Sequence, residues 1–284
     1  MRWQMGRRSE NVEDVRGSGG MRRGGMKMGC GTIVLVIIIS FIFGQNPLQL
    51  LNQLSGGGGM QVQVPENYQP TPEENQAADF VSAILADMED TWPGLLQSLG
   101  RQYVPPKLVL FSNMVQSACG YGEAASGPFY CPGDQKVYID LGFFNELSRM
   151  GAPGDFAQAY VIGHEVGHHV QNLLGISDKV RQRQSHGGET EANALSVMLE
   201  LQADCFAGVW AYHANQQRQM LEPGDVDEGL RAAAAIACCA WPAKPCSRSR
   251  SPTAPPNNAR NGCAPACPPA IATPAIRSSA NKDV

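Results

Sequence analysis

The feature that most constrains how this chain folds is a pair of histidines four residues apart in an apolar stretch. His164 and His168 lie in residues 155–174, where apolar side chains recur at helical spacing and Gly175 stands where a helix C-terminus favours glycine. Side chains at i and i+4 share one face of a helix, so both imidazoles project from the same side. The chain therefore has to fold so that this face meets a polar partner.

A third ligand is expected on another element, because two imidazoles and water do not make a catalytic zinc site. The longest helical pattern, residues 189–217, contains Glu200 and Asp204, which are also i,i+4 neighbours. We predict that Glu200 joins His164 and His168 in binding Zn²⁺. Asp204 is expected to accept the outer N–H of a ligating imidazole and fix its tautomer. The fourth position is left for water.

Glu165 lies beside the predicted ligands rather than among them. A carboxylate at this place in a zinc site takes a proton from the metal-activated water and later gives it to the leaving amine. Incidental surface histidines are the alternative, but three of the five histidines fall within residues 164–169 of an otherwise apolar helix. His169 points about 100° away from His168, so we expect it to pack or hydrogen-bond instead.

Charge divides the chain into two parts. Residues 1–27 hold seven basic and three acidic side chains, whereas residues 73–236 hold 21 acidic and 9 basic ones, a net charge of −12. An acidic domain argues against nucleic acid as a partner. The partner expected at the zinc site is a peptide or protein substrate.

An uncharged apolar run follows the basic N-terminus. Residues 30–44 and their flanks supply the roughly 20 residues that a membrane-spanning helix needs, which predicts an anchor at 28–48. A cleaved signal peptide is the alternative, although its basic region would be unusually long and no A-x-A site follows. The basic residues precede the span, so the positive-inside rule places residues 1–27 in the cytosol. This predicts a single-pass protein of the cytoplasmic membrane with its catalytic domain in the periplasm or outside.

Gly and Pro in residues 49–72 are typical of a linker. The folded domain is expected at 73–236, opening with a helix that Thr71 caps and that stops before Trp92-Pro93. The polar residues between Gly175 and Glu189 are expected to form a loop. The order helix, strands, helix, helix indicates a small α+β domain.

Two short strands are predicted at residues 107–111 and 136–140, on either side of a Gly-rich loop. Cys119 and Cys131 bracket that loop with eleven residues between them. Outside the cytosol such a pair is expected to form a disulfide, in preference to two buried thiols. A zinc knuckle is disfavoured because no second Cys or His pair lies nearby.

At these residues the sequence resembles the bacterial neutral zinc metallopeptidases, relatives of the small gluzincins that use HExxH and a downstream ExxxD helix. The resemblance covers about residues 1–236. It implies a zincin-like α+β domain with an active-site helix, a ligand-bearing second helix and a small sheet, behind one N-terminal transmembrane helix. The matching segments are Met1–Trp3, Gly6–Ser9, Asn11–Asp14, Gly127–Pro132, Val137–Asp140, His164–His169, Glu191–Leu195 and Leu199–Trp210.

The resemblance stops near Ile236, and residues 237–284 have a different composition. They contain nine Pro, eleven Ala, five of the nine Cys and one acidic residue, which predicts a disordered tail. A shifted reading frame of residues 245–263 spells a segment like the family's usual C-terminal part, so we interpret the tail as a frameshift. There are two alternatives to a zinc metallopeptidase. One is a zinc-stabilised binding module, inactivated by loss of the C-terminal segment, and the other is a zinc amidase acting on cell-wall peptides.

Overall fold

A computed structural model describes residues 1–17, 68–123 and 127–240 of the chain. The predicted anchor at 28–48, nearly all of the predicted linker and the tail from residue 241 lie outside the described residues. The described strands are β1 Val12–Asp14, β2 Lys107–Phe111, β3 Met114–Ser117, β4 Gly120–Glu123, β5 Phe129–Cys131 and β6 Lys136–Asp140. The described helices are α1 Pro72–Ser98, α2 Phe143–Arg149, α3 Asp155–Leu173, α4 Ile176–His186, α5 Glu189–Arg218 and α6 Asp225–Ala240.

The fold is mixed α+β, as the order of elements predicts. Strands β1, β2 and β6 pair in parallel, and β5 pairs antiparallel with β6 at the edge, giving the order β1-β2-β6-β5. Strands β3 and β4 form a separate antiparallel hairpin. The bounds of β2 and β6 agree with the prediction. The predicted disulfide is present, and it ties Cys119 to Cys131 with their Cα atoms 5.8 Å apart.

Helix α1 continues past the point where the sequence predicts its end. Thr71 caps its N-terminus by accepting the Glu74 amide, as expected. Pro93 nevertheless lies inside the helix, which extends to Ser98. Trp92 is fully buried and packs edge-on against Phe206 of α5, with ring centroids 5.6 Å apart. This packing offsets the hydrogen bond that Pro93 removes, so the predicted stop is wrong.

A helix, α4, replaces the loop expected between Gly175 and Glu189. None of its side chains is buried, so it has no apolar stripe from which a helix could be recognised. Contacts with α5 hold it in place. Gln184 Nε2 donates to the Ala192 carbonyl at 3.1 Å, and an ion pair joins Arg183 to Glu191 at 3.0 Å.

Helices α3 and α5 pack together through small residues. Gly163 and Gly167 of α3 lie against Ala203 and Ala207 of α5, and both alanines are buried. A Cβ at position 167 would lie 2.9 Å from the carbonyl oxygen of Ala203 and 3.1 Å from the Cα atom of Ala203. The missing Cβ therefore allows the two backbones to approach closely, which sets the distance between the predicted zinc ligands.

A buried carboxylate joins α1 to α5. Asp87, 5% exposed, accepts the indole N–H of Trp210 at 2.7 Å and Arg218 Nη2 at 2.8 Å. Arg218 Nη2 also donates to the Thr91 hydroxyl at 2.6 Å. Each buried polar group in this network thus has a partner, which keeps the cost of burying charge low.

The N-terminal segment belongs to the domain. Residues 1–16 form one compact unit with the described part of the chain from residue 70 to residue 240. Strand β1 pairs in parallel with β2, with Val12 opposite Leu108. Trp3 is buried and packs edge-on against Phe80 of α1, with ring centroids 5.2 Å apart. The segment therefore supplies both a strand and core side chains.

The basic residues of this segment are used in ion pairs within the domain. Arg16 is nearly buried and forms an ion pair with Asp14. It also donates a hydrogen bond to the Glu74 carbonyl in the first turn of α1 at 3.1 Å. A single crossing at 28–48 would put residues 1–16 and the domain on opposite sides of a membrane. In the described residues the two pack in one unit, so the side of the membrane on which residues 1–27 lie stays a prediction to be tested. The pairs are Arg2 with Glu222, Arg7 with Glu89 and Asp90, Arg8 with Asp79, and Arg16 with Asp14.

Cysteine labelling tests this topology. Met5 and Val226 are both exposed, at 101% and 59%, and lie in the N-terminal segment and in α6. We expect Met5→Cys and Val226→Cys to react equally with a membrane-impermeant maleimide in intact cells, because both positions belong to one unit. The unmodified chain gives the background. Labelling of Val226→Cys alone would instead support the single-pass arrangement with residues 1–27 in the cytosol.

The contact between α3 and α5 gives a second prediction. Gly167→Ala should lower the free energy of unfolding by about 1–3 kcal/mol, because the new Cβ meets backbone atoms that cannot rotate away. Gly208→Ala on α5 is the control, since a Cβ there has no atom within 4 Å. It should raise stability by up to about 1 kcal/mol through helix propensity. Urea unfolding of both variants measures the difference, and equal midpoints would contradict the close-approach argument.

Candidate metal centre

The structure brings the three predicted ligands together. Helix α3 presents His164 and His168 on one face, and α5 places Glu200 opposite them. The Nε2 atoms of the two imidazoles are 3.1 Å apart. A Glu200 carboxylate oxygen, Oε2, lies 3.2 Å from His164 Nε2 and 3.6 Å from His168 Nε2. These three atoms form a nearly equilateral triangle at the surface of the domain.

The size of this triangle fits a tetrahedral zinc ion. With Zn–N and Zn–O bonds of about 2.0–2.1 Å and tetrahedral angles, adjacent ligand atoms are separated by roughly 3.3–3.4 Å. The observed separations of 3.1, 3.2 and 3.6 Å bracket that value. Two imidazoles and one carboxylate are also a ligand set found in catalytic zinc sites. The donor atoms therefore suit zinc both in kind and in spacing.

Asp204 lies behind His164, as the sequence predicts. Its Oδ1 is 2.8 Å from His164 Nδ1, so the carboxylate accepts the outer N–H of the imidazole. The Tyr160 hydroxyl donates to the same carboxylate oxygen. Asp204 thus receives two donors, and its position leaves the lone pair of His164 Nε2 facing the triangle. Sequence reasoning did not identify Tyr160, although it precedes His164 by one helical turn.

Gln171 lies behind His168, and sequence reasoning also missed it. Its side chain is fully buried, with Oε1 2.9 Å from His168 Nδ1 and Nε2 2.7 Å from the Leu199 carbonyl. The signal available in the sequence was the spacing, since Gln171 follows His168 by three residues. An i,i+3 neighbour lies on the same helical face, but a buried glutamine has no pattern that marks it as a zinc-site partner.

The charges and hydrogen bonds of the predicted ligands favour the binding of a cation. Burial of the His164 ring lowers its pKa, but hydrogen bonds to Asp204 and Glu200 outweigh the burial and raise the pKa to about 10. Hydrogen bonds from the two imidazoles hold the pKa of the Glu200 carboxyl well below its usual range. A proton and a metal ion compete for the same lone pairs, so a site that draws protons this strongly also attracts a metal cation.

Glu165 lies at the floor of a cleft beside the triangle. The cleft has a volume of about 1240 Å³ and is lined by His164, Glu165, His168 and Glu200 together with residues of β5 and α2. Glu165 is 8% exposed, and no hydrogen-bond partner for its carboxylate is found in the described part of the chain. Its oxygens are therefore free to act on a molecule bound in the cleft.

His169 holds one of the residues that line the cleft. This histidine is fully buried, and burial lowers the pKa of its ring, which keeps it neutral. Its Nε2–H donates to the Val104 carbonyl at 2.7 Å, so Nδ1 accepts from the Tyr130 hydroxyl at 3.0 Å. The expectation that His169 packs and hydrogen-bonds is confirmed. It fixes Tyr130, which lines the cleft from β5.

The two remaining histidines are not part of the triangle. His186 lies on exposed α4, where its Nδ1 is 2.8 Å from the Gln182 carbonyl of the same helix. His213 lies far along α5, with its ring edge-on to Tyr212. Neither lines the cleft.

Comparison with known proteins agrees with this geometry. Residues 1–240 match the model of the family described as "Putative neutral zinc metallopeptidase". The chain is 48% identical over 242 residues to the uncharacterized protein YpfJ of Escherichia coli strain K12, which is 83% of each chain. It is 42% identical over 160 residues to the uncharacterized protein Rv2575 of Mycobacterium tuberculosis, which is 52% of each chain.

No solved structure matches the chain. The family match includes the N-terminal segment that carries β1, both ligand-bearing helices and α6, and it ends where the described residues end. A match of this extent covers every element that builds the triangle and the cleft. The chain therefore belongs to the family described as "Putative neutral zinc metallopeptidase".

Proposed function

We propose that the protein is a zinc peptidase that hydrolyses peptide bonds with Glu165 as general base. The observation that carries this proposal is the convergence of His164 Nε2, His168 Nε2 and Glu200 Oε2 within 3.6 Å of one another beside Glu165. Three lone-pair donors held this close repel one another unless a proton or a metal cation lies between them. Family membership supports the same assignment.

His164, His168 and Glu200 would hold the zinc. When bound, zinc supplies a Lewis acid that polarises the scissile carbonyl and activates water at neutral pH. Glu165 accepts the proton of the attacking water and passes it to the leaving amine, which otherwise would depart as an unstable anion. Asp204 and Gln171 keep the imidazole rings aligned during this exchange.

The shape of the cleft supports a polypeptide substrate. Its volume of about 1240 Å³ exceeds the roughly 300–1,000 Å³ that is usual for small-ligand pockets. Strand β5 borders it and is the edge of the four-stranded sheet, so one side of β5 has no strand partner in the described sheet. An extended peptide can hydrogen-bond to such an edge while its side chains enter pockets on either side. Peptides of the cell wall are a substrate that the same zinc site could hydrolyse.

Two features support a proposal for the location of the domain. The disulfide between Cys119 and Cys131 favours an oxidising compartment. Residues 1–16 fold with the domain and therefore lie on the same side of any membrane. We propose that the domain acts outside the cytosol, in association with the cytoplasmic membrane through the apolar segment at 28–48.

The zinc ligand set gives a direct prediction. We expect the purified chain to hold about one zinc ion and Glu200→Ala to lose most of it, because two imidazoles and water bind the metal far more weakly. Glu189→Ala, at the exposed start of the same helix, is the matched control. Metal content by mass spectrometry after dialysis measures both. Undiminished zinc in Glu200→Ala would refute the ligand assignment.

The catalytic base gives a separate prediction. Glu165→Gln should keep zinc at the level of the unmodified chain and lose at least about 100-fold in the rate of casein hydrolysis, because an amide cannot accept the proton. Glu189→Gln should leave the rate unchanged. A chain that binds zinc but shows no hydrolysis even before substitution would be a binding module and not an enzyme.

A further inference from the structure

His168 and His164 are held by different chemical groups. Asp204, a carboxylate, accepts from His164 Nδ1 and from the Tyr160 hydroxyl. Gln171, an amide, contacts His168 Nδ1 with one end and the Leu199 carbonyl with the other. Asp204 and Gln171 therefore each contact the outer nitrogen of one imidazole. They differ in their second contact, because Asp204 accepts from a hydroxyl and Gln171 donates to a carbonyl.

The Leu199 carbonyl determines which way the Gln171 amide points. A carbonyl oxygen only accepts hydrogen bonds, so the group 2.7 Å from it must be the NH₂ end of the glutamine. The oxygen end then faces His168 Nδ1 at 2.9 Å and can only accept. His168 Nδ1 must therefore carry the proton, which leaves the lone pair of Nε2 directed at the triangle.

The second contact of Gln171 lies next to the third ligand. Leu199 directly precedes Glu200, so the amide bridges α3 and α5 at the point where α5 presents its carboxylate. The side chain is fully buried, which shields both hydrogen bonds from water and makes them costly to lose. Gln202 adds a further contact from α5, with Oε1 3.2 Å from Gln171 Nε2.

We propose that Gln171 is a positioning residue of the metal centre, which sets the tautomer of His168 and fixes the backbone beside Glu200. The inference rests on the zinc site proposed above. It requires an amide at this position. A carboxylate could accept from His168 but could not donate to Leu199, and it would place two acceptors 2.7 Å apart. A leucine could do neither.

The test compares Gln171→Glu, Gln171→Leu and Gln184→Leu in the full chain. Gln184 is the matched control, because its amide also donates to a carbonyl of α5 at 3.1 Å but contacts no zinc ligand. Affinity for Zn²⁺ is measured by competition with a chelator, and the visible spectrum of the Co²⁺-loaded protein reports the geometry of the ligands. Urea unfolding of the metal-free chains separates stability from metal binding.

We expect Gln171→Glu and Gln171→Leu each to weaken Zn²⁺ binding by about 10- to 100-fold and to change the Co²⁺ spectrum, while Gln184→Leu changes neither. Glutamate has the same shape as glutamine and adds a negative charge, so a purely electrostatic role would make Gln171→Glu bind Zn²⁺ as tightly or more tightly. That result, or an equal loss of affinity in Gln184→Leu, would overturn the proposal. If Gln171→Leu does not fold, Gln171→Glu alone decides.

Failure of the zinc site itself gives a different result. If the unmodified chain binds no Zn²⁺, or if Glu200→Ala binds it unchanged, the proposed metal centre is refuted and Gln171 has no metal to position. If the unmodified chain binds Zn²⁺ and Glu200→Ala does not, the Gln171 variants test the positioning role alone.

Discussion

Helices α3 and α5 approach closely where Gly167 faces the Ala203 backbone, and the candidate site depends on that contact. Gly163 and Gly167 remove two Cβ atoms from one surface, while Ala203 and Ala207 supply small ones on the other. The histidines and Glu200 have side chains of limited length. If the axes moved apart by the thickness of one larger side chain, the carboxylate could no longer reach the imidazoles, and the ligand triangle would open.

This close approach has an electrostatic cost that the surrounding groups offset. Three lone pairs converge within 3.6 Å, and each imidazole is kept in the tautomer that directs its lone pair inward. Asp204 of α5 contacts the outer nitrogen of His164, and Gln171 of α3 contacts that of His168. The fold thus holds the ligands in an arrangement that needs a proton or a metal cation between them, which is how a protein prepares a metal site in advance.

The N-terminal segment shows that a charge pattern can have two physical uses. A group of arginines before an apolar run is the usual signal for a cytosolic flank, because basic residues resist translocation. Arg22, Arg23 and Lys27 lie outside the described residues, but in this fold the arginines of residues 1–8 pair with carboxylates of α1 and of the turn before α6. They offset part of the negative charge of an acidic domain and hold β1 at the edge of the sheet. The count of charges is the same in both cases, and only their partners differ.

The sequence alone determined the parts of the protein that depend on local periodicity and spacing. Helix α3 and strands β2 and β6 have bounds within one residue of those predicted, because each carries its own pattern of apolar residues and its own boundary glycine or proline. The pairing of HExxH with Glu200 and Asp204 followed from the i,i+4 geometry of single helices. Tertiary structure decided the features that depend on contacts between distant segments. Helix α1 passes through Pro93 because Trp92 is buried against α5, and α4 forms on contacts with α5 instead of an apolar stripe. Gln171 acquires its role only when α5 brings the Leu199 carbonyl to it, and the N-terminal segment joins the domain through partners about 70 to 220 residues away. A local pattern cannot encode such contacts, because the energy that fixes them comes from groups that meet only after the chain has folded.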